Sequence, residues 1–219
     1  MNVISLMTKS ELFAGVDAAT LERLRESATE HRLRRGDKLF EENDTANDLY
    51  IVTSGRIAIA NKSIDGRESM VALMESGDLF GEMPLFDSLG RSAEARALEQ
   101  SVVVSVPYEP IRALYEQRPE LLWAVVRLLA GRLRNMDEAL ADAVFLDVTG
   151  RTAKRLLELA GEADEFTLPI TQEELAGMVG ASRERVNKAI AAFIKLGWIQ
   201  QVDRRYIITN RKQLEIRAR

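Results

Sequence analysis

The stretch Phe80-Gly81-Glu82-Met83-Pro84-Leu85-Phe86-Asp87-Ser88-Leu89-Gly90-Arg91-Ser92-Ala93 gathers two glycines, a carboxylate, an arginine and hydroxyl groups into one turn-rich segment. Glycine lets backbone N–H groups come close to an anion, and the planar fork of arginine matches the oxygens of a phosphate. A neighbouring carboxylate accepts from a sugar hydroxyl. The chemistry on offer is recognition of a phosphorylated sugar, although a loop with one arginine is ordinarily just solvated. A second cluster lies far downstream. Ser182-Arg183-Glu184-Arg185, with Asn187 and Lys188 one turn on, precedes the apolar positions Val186, Ala189, Ile190 and Phe193. Arginine suits the acceptor edge of guanine, and glutamate suits the amino group of cytosine.

The elements that must carry the second cluster are legible. Thr171-Gln172-Glu173-Glu174 has the spacing of a capping box and opens a helix through Leu175, Ala176 and Val179 that breaks at Gly180. A second helix starts at Ser182 and runs to Gly197. Two short helices around a glycine-containing turn form a helix-turn-helix, which reads base edges from the N-terminal residues of its second helix. Trp198-Ile199-Gln200-Gln201 and Tyr206-Ile207-Ile208, with Asp203-Arg204-Arg205 between them, predict a two-stranded wing. Upstream, Arg151 to Glu162 reads as a helix with Ala153, Leu156, Leu157 and Ala160 on one side, and Thr149-Gly150 before it reads as a cap and hinge.

Around the first cluster the chain changes period. Ser10 to Arg25 reads as one helix, with apolar positions at Leu12, Phe13, Val16, Leu21 and Leu24. Short β-rich runs follow at 38–40, 49–52, 56–60, 70–74 and 102–106. The turn signals Arg35-Gly36-Asp37, Glu42-Asn43-Asp44, Ser54-Gly55, Asp65-Gly66 and Ser76-Gly77-Asp78 separate them. Closely spaced short strands with glycine turns predict an antiparallel barrel or roll that can hold a small ligand.

Between the two halves, Pro119 to Asp142 places Leu122, Val126, Leu129, Leu133, Met136 and Leu140 at alternating steps of four and three. That is the period of a coiled-coil seam, and the simplest facing seam is a second copy of the same helix. With Val126, Leu133 and Leu140 at a and Leu122, Leu129 and Met136 at d, Arg132 is a g residue. It would meet Asp137, an e residue, across a parallel homodimer. The alternative is a helix packed inside one chain.

Composition narrows the classes. The 219 residues contain no cysteine and one histidine. Iron–sulfur clusters, thiolate zinc sites and disulfides are excluded, and a multi-histidine metal enzyme such as a cupin lacks its ligands. His31 reads as a polar residue near the start of a strand rather than a haem or metal ligand. No apolar run approaches a membrane span and no signal-peptide pattern opens the chain, so a cytoplasmic location is expected. The net charge is −4, unevenly spread: from Asp147 onward 13 Lys and Arg face 10 Asp and Glu, a net of +3, and the residues before it carry 17 against 24, a net of −7. Such asymmetry suggests two units with different partners.

With its glycine-punctuated roll, Phe-Gly-Glu…Arg-Ser-Ala cassette, long seam helix and Ser-Arg-Glu-x-Val-x-Lys helix, the chain resembles the cyclic AMP receptor protein and fumarate–nitrate reductase regulator (CRP/FNR) superfamily, most closely the cyclic AMP receptor proteins. The resemblance covers nearly the whole length. It implies an α+β architecture with no catalytic and no metal residues. An antiparallel, jelly-roll-like β-roll (1–117) would bind a cyclic nucleotide. A dimerisation helix (118–143) would follow, and then a winged helix-turn-helix DNA-binding domain (144–219). It implies that Arg91 pairs with a cyclic phosphate, Ser92 hydrogen-bonds it, Glu82 takes the ribose 2′-hydroxyl and Gly81 admits the sugar. It implies Arg183 and Lys188 toward guanines and Glu184 toward cytosine, with Arg185 and Asn187 beside them. The Thr–Ser pair that reads adenine in well-known members is missing between Pro119 and Asp142. Arg132 or Asn135 is left to contact the base, and the Met136 thioether to pack on it. The expected protein is a homodimeric regulator of transcription controlled by cyclic AMP, with palindromic double-stranded DNA and RNA polymerase as partners. The alternatives are a different effector, such as cyclic di-GMP, and ligand-independent DNA binding.

Overall fold

The computed structural model describes residues 3–64 and 68–219. The turn expected at Asp65-Gly66 falls outside them. The chain forms two compact units, Met1–Arg67 with Val71–Leu133, and Glu68–Met70 with Arg134–Arg219. The boundary lies inside the long helix that the sequence set apart as 118–143.

The first unit opens with helices α1 (Val3–Lys9) and α2 (Ala18–Glu26). The single helix expected over Ser10–Arg25 is instead a 3-10 turn at Glu11–Phe13 followed by α2. Gly15, at φ +86°, ends the first piece, and the Asp17 carboxylate caps the second by accepting from the Thr20 N–H at 2.9 Å. Apolar residues continue at helical spacing across Gly15, so periodicity alone runs through the break.

The strands are β1 (Thr29–Leu33), β2 (Lys38–Phe40), β3 (Asp48–Ser54), β4 (Ile57–Lys62), β5 (Glu68–Met74) and β6 (Leu79–Phe80). Helix α3 (Met83–Asp87), β7 (Glu94–Ala97) and β8 (Ser101–Pro107) complete the set. They form two four-stranded sheets, ordered β1-β8-β3-β6 and β2-β7-β4-β5, the expected roll. Strand β3 explains the packing. Its alternate residues leave opposite faces. Tyr50 and Val52 join Ile57, Phe80, Ala95 and Val103 inside the roll. Leu49 and Ile51 join Leu12, Phe13, Leu21 and Ile111 beneath the helices. Burial on both faces makes this strand a continuous apolar run, and each such side chain contributes about 1.5–3 kcal/mol. The β3–β4 turn depends on Gly55, at φ +78°, where a Cβ would lie 2.6 Å from the Gln100 carbonyl oxygen.

Helix α4 (Tyr108–Gln117) and a 3-10 turn at Pro119–Leu121 lead into α5 (Leu122–Phe145). Helix α5 carries two apolar stripes. Ala124 and Val125 are buried, and Leu128 packs against the same core as Leu121. The six seam residues are between 38% and 69% exposed. Packing of the seam inside its own chain is therefore not what the structure contains.

The second unit contains α6 (Val148–Ala160), β9 (Glu165–Thr167), α7 (Gln172–Val179), α8 (Arg183–Lys195), β10 (Ile199–Val202), β11 (Arg205–Ile208) and α9 (Arg211–Arg217). Three sequence expectations change here. The cap of α6 is Asp147, whose carboxylate accepts from the Gly150 N–H at 2.8 Å, so Thr149 and Gly150 lie inside the first helical turn. The wing is a three-stranded sheet, because β9 pairs with β11. Helix α9 has no counterpart in the sequence reading. The capping box holds as expected, with Thr171 Oγ1 accepting from the Glu174 N–H and the Glu174 carboxylate accepting from the Thr171 N–H. Gly180 ends α7 at φ +67°. Among the described residues, no helix is long and apolar enough to cross a membrane.

Candidate functional site

The cassette begins where β6 ends. Gly81 has φ +74°, and a Cβ there would stand 2.7 Å from Arg91 Nη1 and 3.3 Å from the Tyr50 ring. Only glycine lets the arginine lie down in this position. Arg91 is 4% exposed. Its Nη1 donates to the Gly81 carbonyl at 2.9 Å and to the Tyr108 hydroxyl at 3.0 Å, and its Nη2 donates to the Asp48 carbonyl at 2.8 Å. Its guanidinium carbon lies 4.2 Å from the centre of the Phe40 ring. The Tyr108 hydroxyl also donates to the Gly81 carbonyl, and burial pushes it up to about 12 against the opposing pull of Arg91. Arg91 Nε is buried and has no partner.

Glu82 has no exposed surface. Arg132 reaches it from α5, pairing Nη1 with Glu82 Oε1 and donating from Nη2 to the Leu79 carbonyl at 3.1 Å. The other carboxylate oxygen, Oε2, is buried and unpaired. Burial raises the Glu82 carboxyl above its ordinary value, and the charge of Arg132 offsets this only in part. Arg132 had been expected to face Asp137 of a second chain. Within its own chain it pairs with Glu82.

Two bonded sets, Arg91 with Gly81 and Arg132 with Glu82, thus meet at the Gly81–Glu82 peptide. Ser92 lies to its side, exposed, with its hydroxyl 3.8 Å from Met83 Sδ. Asn135 and Met136 are exposed on α5. Phe40, Asp48 and Tyr108 were not singled out in the sequence. They belong to the site through tertiary folding, and no local spacing announces them. His31 is a strand residue with Nε2 2.9 Å from Ser105 Oγ, and no group of three or more metal-ligating side chains occurs among the described residues.

In the second unit, Ser182 caps α8 through the Arg185 N–H. Val186, Ala189, Ile190 and Phe193 are buried, which turns Arg183, Glu184, Arg185 and Lys188 outward, and all four are exposed. Asn187 is half-buried, with its Oδ1 enclosed and unpaired. The wing arginines have internal duties. Arg204 donates to the Leu168 carbonyl at 3.0 Å and to the Ile170 carbonyl at 3.3 Å, and Arg205 pairs with Glu165. Arg183, Arg185 and Lys188 are therefore the exposed basic groups at the start of α8, the end that enters a major groove in a helix-turn-helix.

A roll with a buried arginine–carboxylate cassette, followed by a winged helix-turn-helix, defines a ligand-sensing DNA-binding protein. Comparison with known proteins gives the same two parts. The model of the cyclic nucleotide-binding domain matches residues 30–118, and that of the Crp-like helix-turn-helix domain matches residues 150–217. The chain is 37% identical to the CRP-like cAMP-activated global transcriptional regulator of Mycobacterium tuberculosis, over 98% of this chain and 99% of that one. It is 34% identical to the cAMP-activated global transcriptional regulator Vfr of Pseudomonas aeruginosa, over 77% of this chain and 85% of that one. Among solved structures it resembles the c-di-GMP responsive global regulator CLP of Xanthomonas campestris, with a TM-score of 0.75 and 27% identity over 88% of this chain and 99% of that one. The chain belongs to the CRP/FNR superfamily. It is a DNA-binding transcriptional regulator with a cyclic nucleotide-binding domain, and not an enzyme.

The buried carboxyl makes a pH-dependent difference. A raised folded-state value means that the folded protein holds the Glu82 proton more tightly than the unfolded chain does. The contribution to stability is then full below the ordinary carboxylate value of 4.5 and is lost as pH rises above it. Urea unfolding of wild type and Glu82→Gln across this range should show the wild type losing stability relative to the variant as pH rises. Parallel curves would remove the buried-carboxylate account.

Proposed function

We propose that this chain is a homodimeric, cytoplasmic transcription factor whose affinity for a palindromic DNA site is set by a cyclic nucleotide, cyclic AMP first among them. The observation that carries the effector reading is a pair of buried, unpaired groups of opposite character in one cassette: a donor, Arg91 Nε, and an acceptor, Glu82 Oε2. Buried polar groups without partners are costly, and a ligand offering an anionic oxygen to one and a hydroxyl to the other relieves both. A cyclic phosphate with its ribose 2′-hydroxyl has that chemistry. Ser92 would add a hydroxyl to the phosphate, and Gly81, beside which Arg91 now lies, would admit the sugar once that arginine turns to the phosphate. Asn135 and Met136 would face the base in place of a Thr–Ser pair. Cyclic di-GMP is the second reading, favoured by the missing pair and by the similarity to the c-di-GMP responsive regulator CLP.

The exposed α5 seam supports the dimer. Closing it buries six large apolar residues, and two-fold symmetry then sets the two α8 helices to successive major grooves. A ligand that prefers one arrangement shifts the population toward it, and DNA must tighten ligand binding by the same factor. RNA polymerase is the expected further partner at a promoter.

Three measurements test this reading. Arg91→Ala would strand three protein oxygens as well as the ligand, so Arg91→Lys, which keeps the charge and loses the fork, is the informative variant. Calorimetric titration with cyclic AMP, cyclic GMP and cyclic di-GMP should show about 1.5–3 kcal/mol lost for the true effector. Unchanged affinity would withdraw the cassette. Leu133→Lys places like charges across the seam and should yield a monomer in sedimentation velocity, whereas an intact dimer would assign the interface elsewhere. Glu184→Ala should relax sequence preference more than total affinity, because a carboxylate is repelled by phosphates and gains only from base contact. A selection from random duplexes that returns an unaltered motif would move the readout away from α8.

A further inference from the structure

The corner between α5 and α6 is two residues long, Leu146 and Asp147, and each half of it is tied to a different helix. Lys154 of α6 donates to Glu138 and Asp142 of α5, both at 2.6 Å. Arg151 donates to the Leu146 carbonyl at 2.6 Å and to the Val179 carbonyl, at the end of α7, at 2.8 Å. The third tie comes from the C-terminal helix. Arg217 in the last turn of α9 pairs with both carboxylate oxygens of Asp147, the cap of α6. Leu214 anchors α9 with no exposed surface.

Gly150 records how close that approach is. Its backbone is not in the left-handed region, so the glycine is not there for a turn. A Cβ at 150 would lie 3.0 Å from the Arg217 carbonyl oxygen and 3.0 Å from Arg217 Nη1. The first turn of α6 and the last turn of α9 therefore touch backbone to backbone. An ion pair as exposed as Arg217–Asp147 adds little to global stability. Its place matters more: it closes on the residue that starts α6 and turns the chain away from α5.

We propose that α9 is a brace, with Arg217 as its positioning residue, that holds the α5–α6 corner stiff so that the corner moves as one piece with the helix-turn-helix. Transmission of a ligand signal through that corner rests on the function proposed above, while the brace itself does not. A stiff corner passes a displacement of α5 onward, and a loose one absorbs it.

The test uses the full-length chain and the variants Arg217→Gln, Arg217→Lys and Asp147→Ser. Serine keeps the helix cap and removes the charge, and lysine keeps the charge at Arg217. Hydrogen exchange read by mass spectrometry over residues 143–151, without DNA, should rise several-fold in Arg217→Gln and Asp147→Ser and stay near wild type in Arg217→Lys. Exchange in α8 should be unaltered. Unchanged exchange at the corner, or an equal rise across α8, overturns the brace. Fluorescence anisotropy on a selected operator duplex with and without cyclic AMP gives the second reading. A wild-type response of about 5–150-fold is typical of such coupling, and in Arg217→Gln it should fall toward one. A preserved response in that variant overturns the role in transmission. A wild type indifferent to cyclic AMP counts against the effector instead, and the exchange data then decide the brace alone.

Discussion

A carboxylate with no exposed surface needs a reason to stay. For Glu82 the reason is Arg132, which crosses from α5 to meet it. Removing a charge from water costs several kcal/mol, and a partner that satisfies one oxygen of two repays only part of this. The neighbourhood is built around the deficit. Gly81 gives up its side chain to admit Arg91, and Arg91 is held by two carbonyls and the Tyr108 hydroxyl. The aromatic rings of Phe40 and Tyr50 lie against its guanidinium. The cassette is thus incompletely satisfied, with Arg91 Nε and Glu82 Oε2 buried and unpaired. Such a place is poised to respond to an incoming polar molecule. Because Arg132 belongs to α5, Glu82 is paired directly with the helix that also carries the seam.

Charge and exposure divide the labour in the second unit. Two sets of its basic side chains contrast. Arg151, Arg204, Arg211 and Arg217 fasten carbonyls and carboxylates of their own unit. Arg183, Arg185 and Lys188 project from α8 into solvent. Composition cannot tell a structural arginine from a DNA-facing one. Hydrogen-bond partners can, and they direct attention to the recognition helix rather than the wing.

The parts of this chain that were legible in its sequence are those governed by neighbours in sequence. The capping box at Thr171 and Glu174, the stop at Gly180 and the Ser182 cap need only local geometry. The exposed apolar stripe of α5 was legible because a repeat is a local pattern too. Residues 94–97 were not: Glu94-Ala95-Arg96-Ala97 has no β-branched side chain and becomes a strand because β2 and β4 flank it. The N-terminal helix was drawn too long because apolar spacing persists across Gly15. In the cassette, glycine, glutamate and arginine could be named from residue type and order. Tyr108 and the Asp48 carbonyl could not, since they meet Arg91 only after the roll closes. Arg132 was noticed for its charge but its pairing with Glu82 was not, because the period of a helix says which side a residue is on and not how far it reaches.

The two apolar stripes of α5 place identical residues side by side under different physical rules. Val125 is 3% exposed and Val126 is 50% exposed. Trimming a methyl group at 125 opens a gap in a core that exists within one chain, so the loss is felt at any dilution. Trimming one at 126, on the proposed dimer, weakens an association, so the loss grows as the protein is diluted and fades as it accumulates. A cell that makes little of this regulator would thus tolerate variation at the first valine and the second very differently from a cell that makes much.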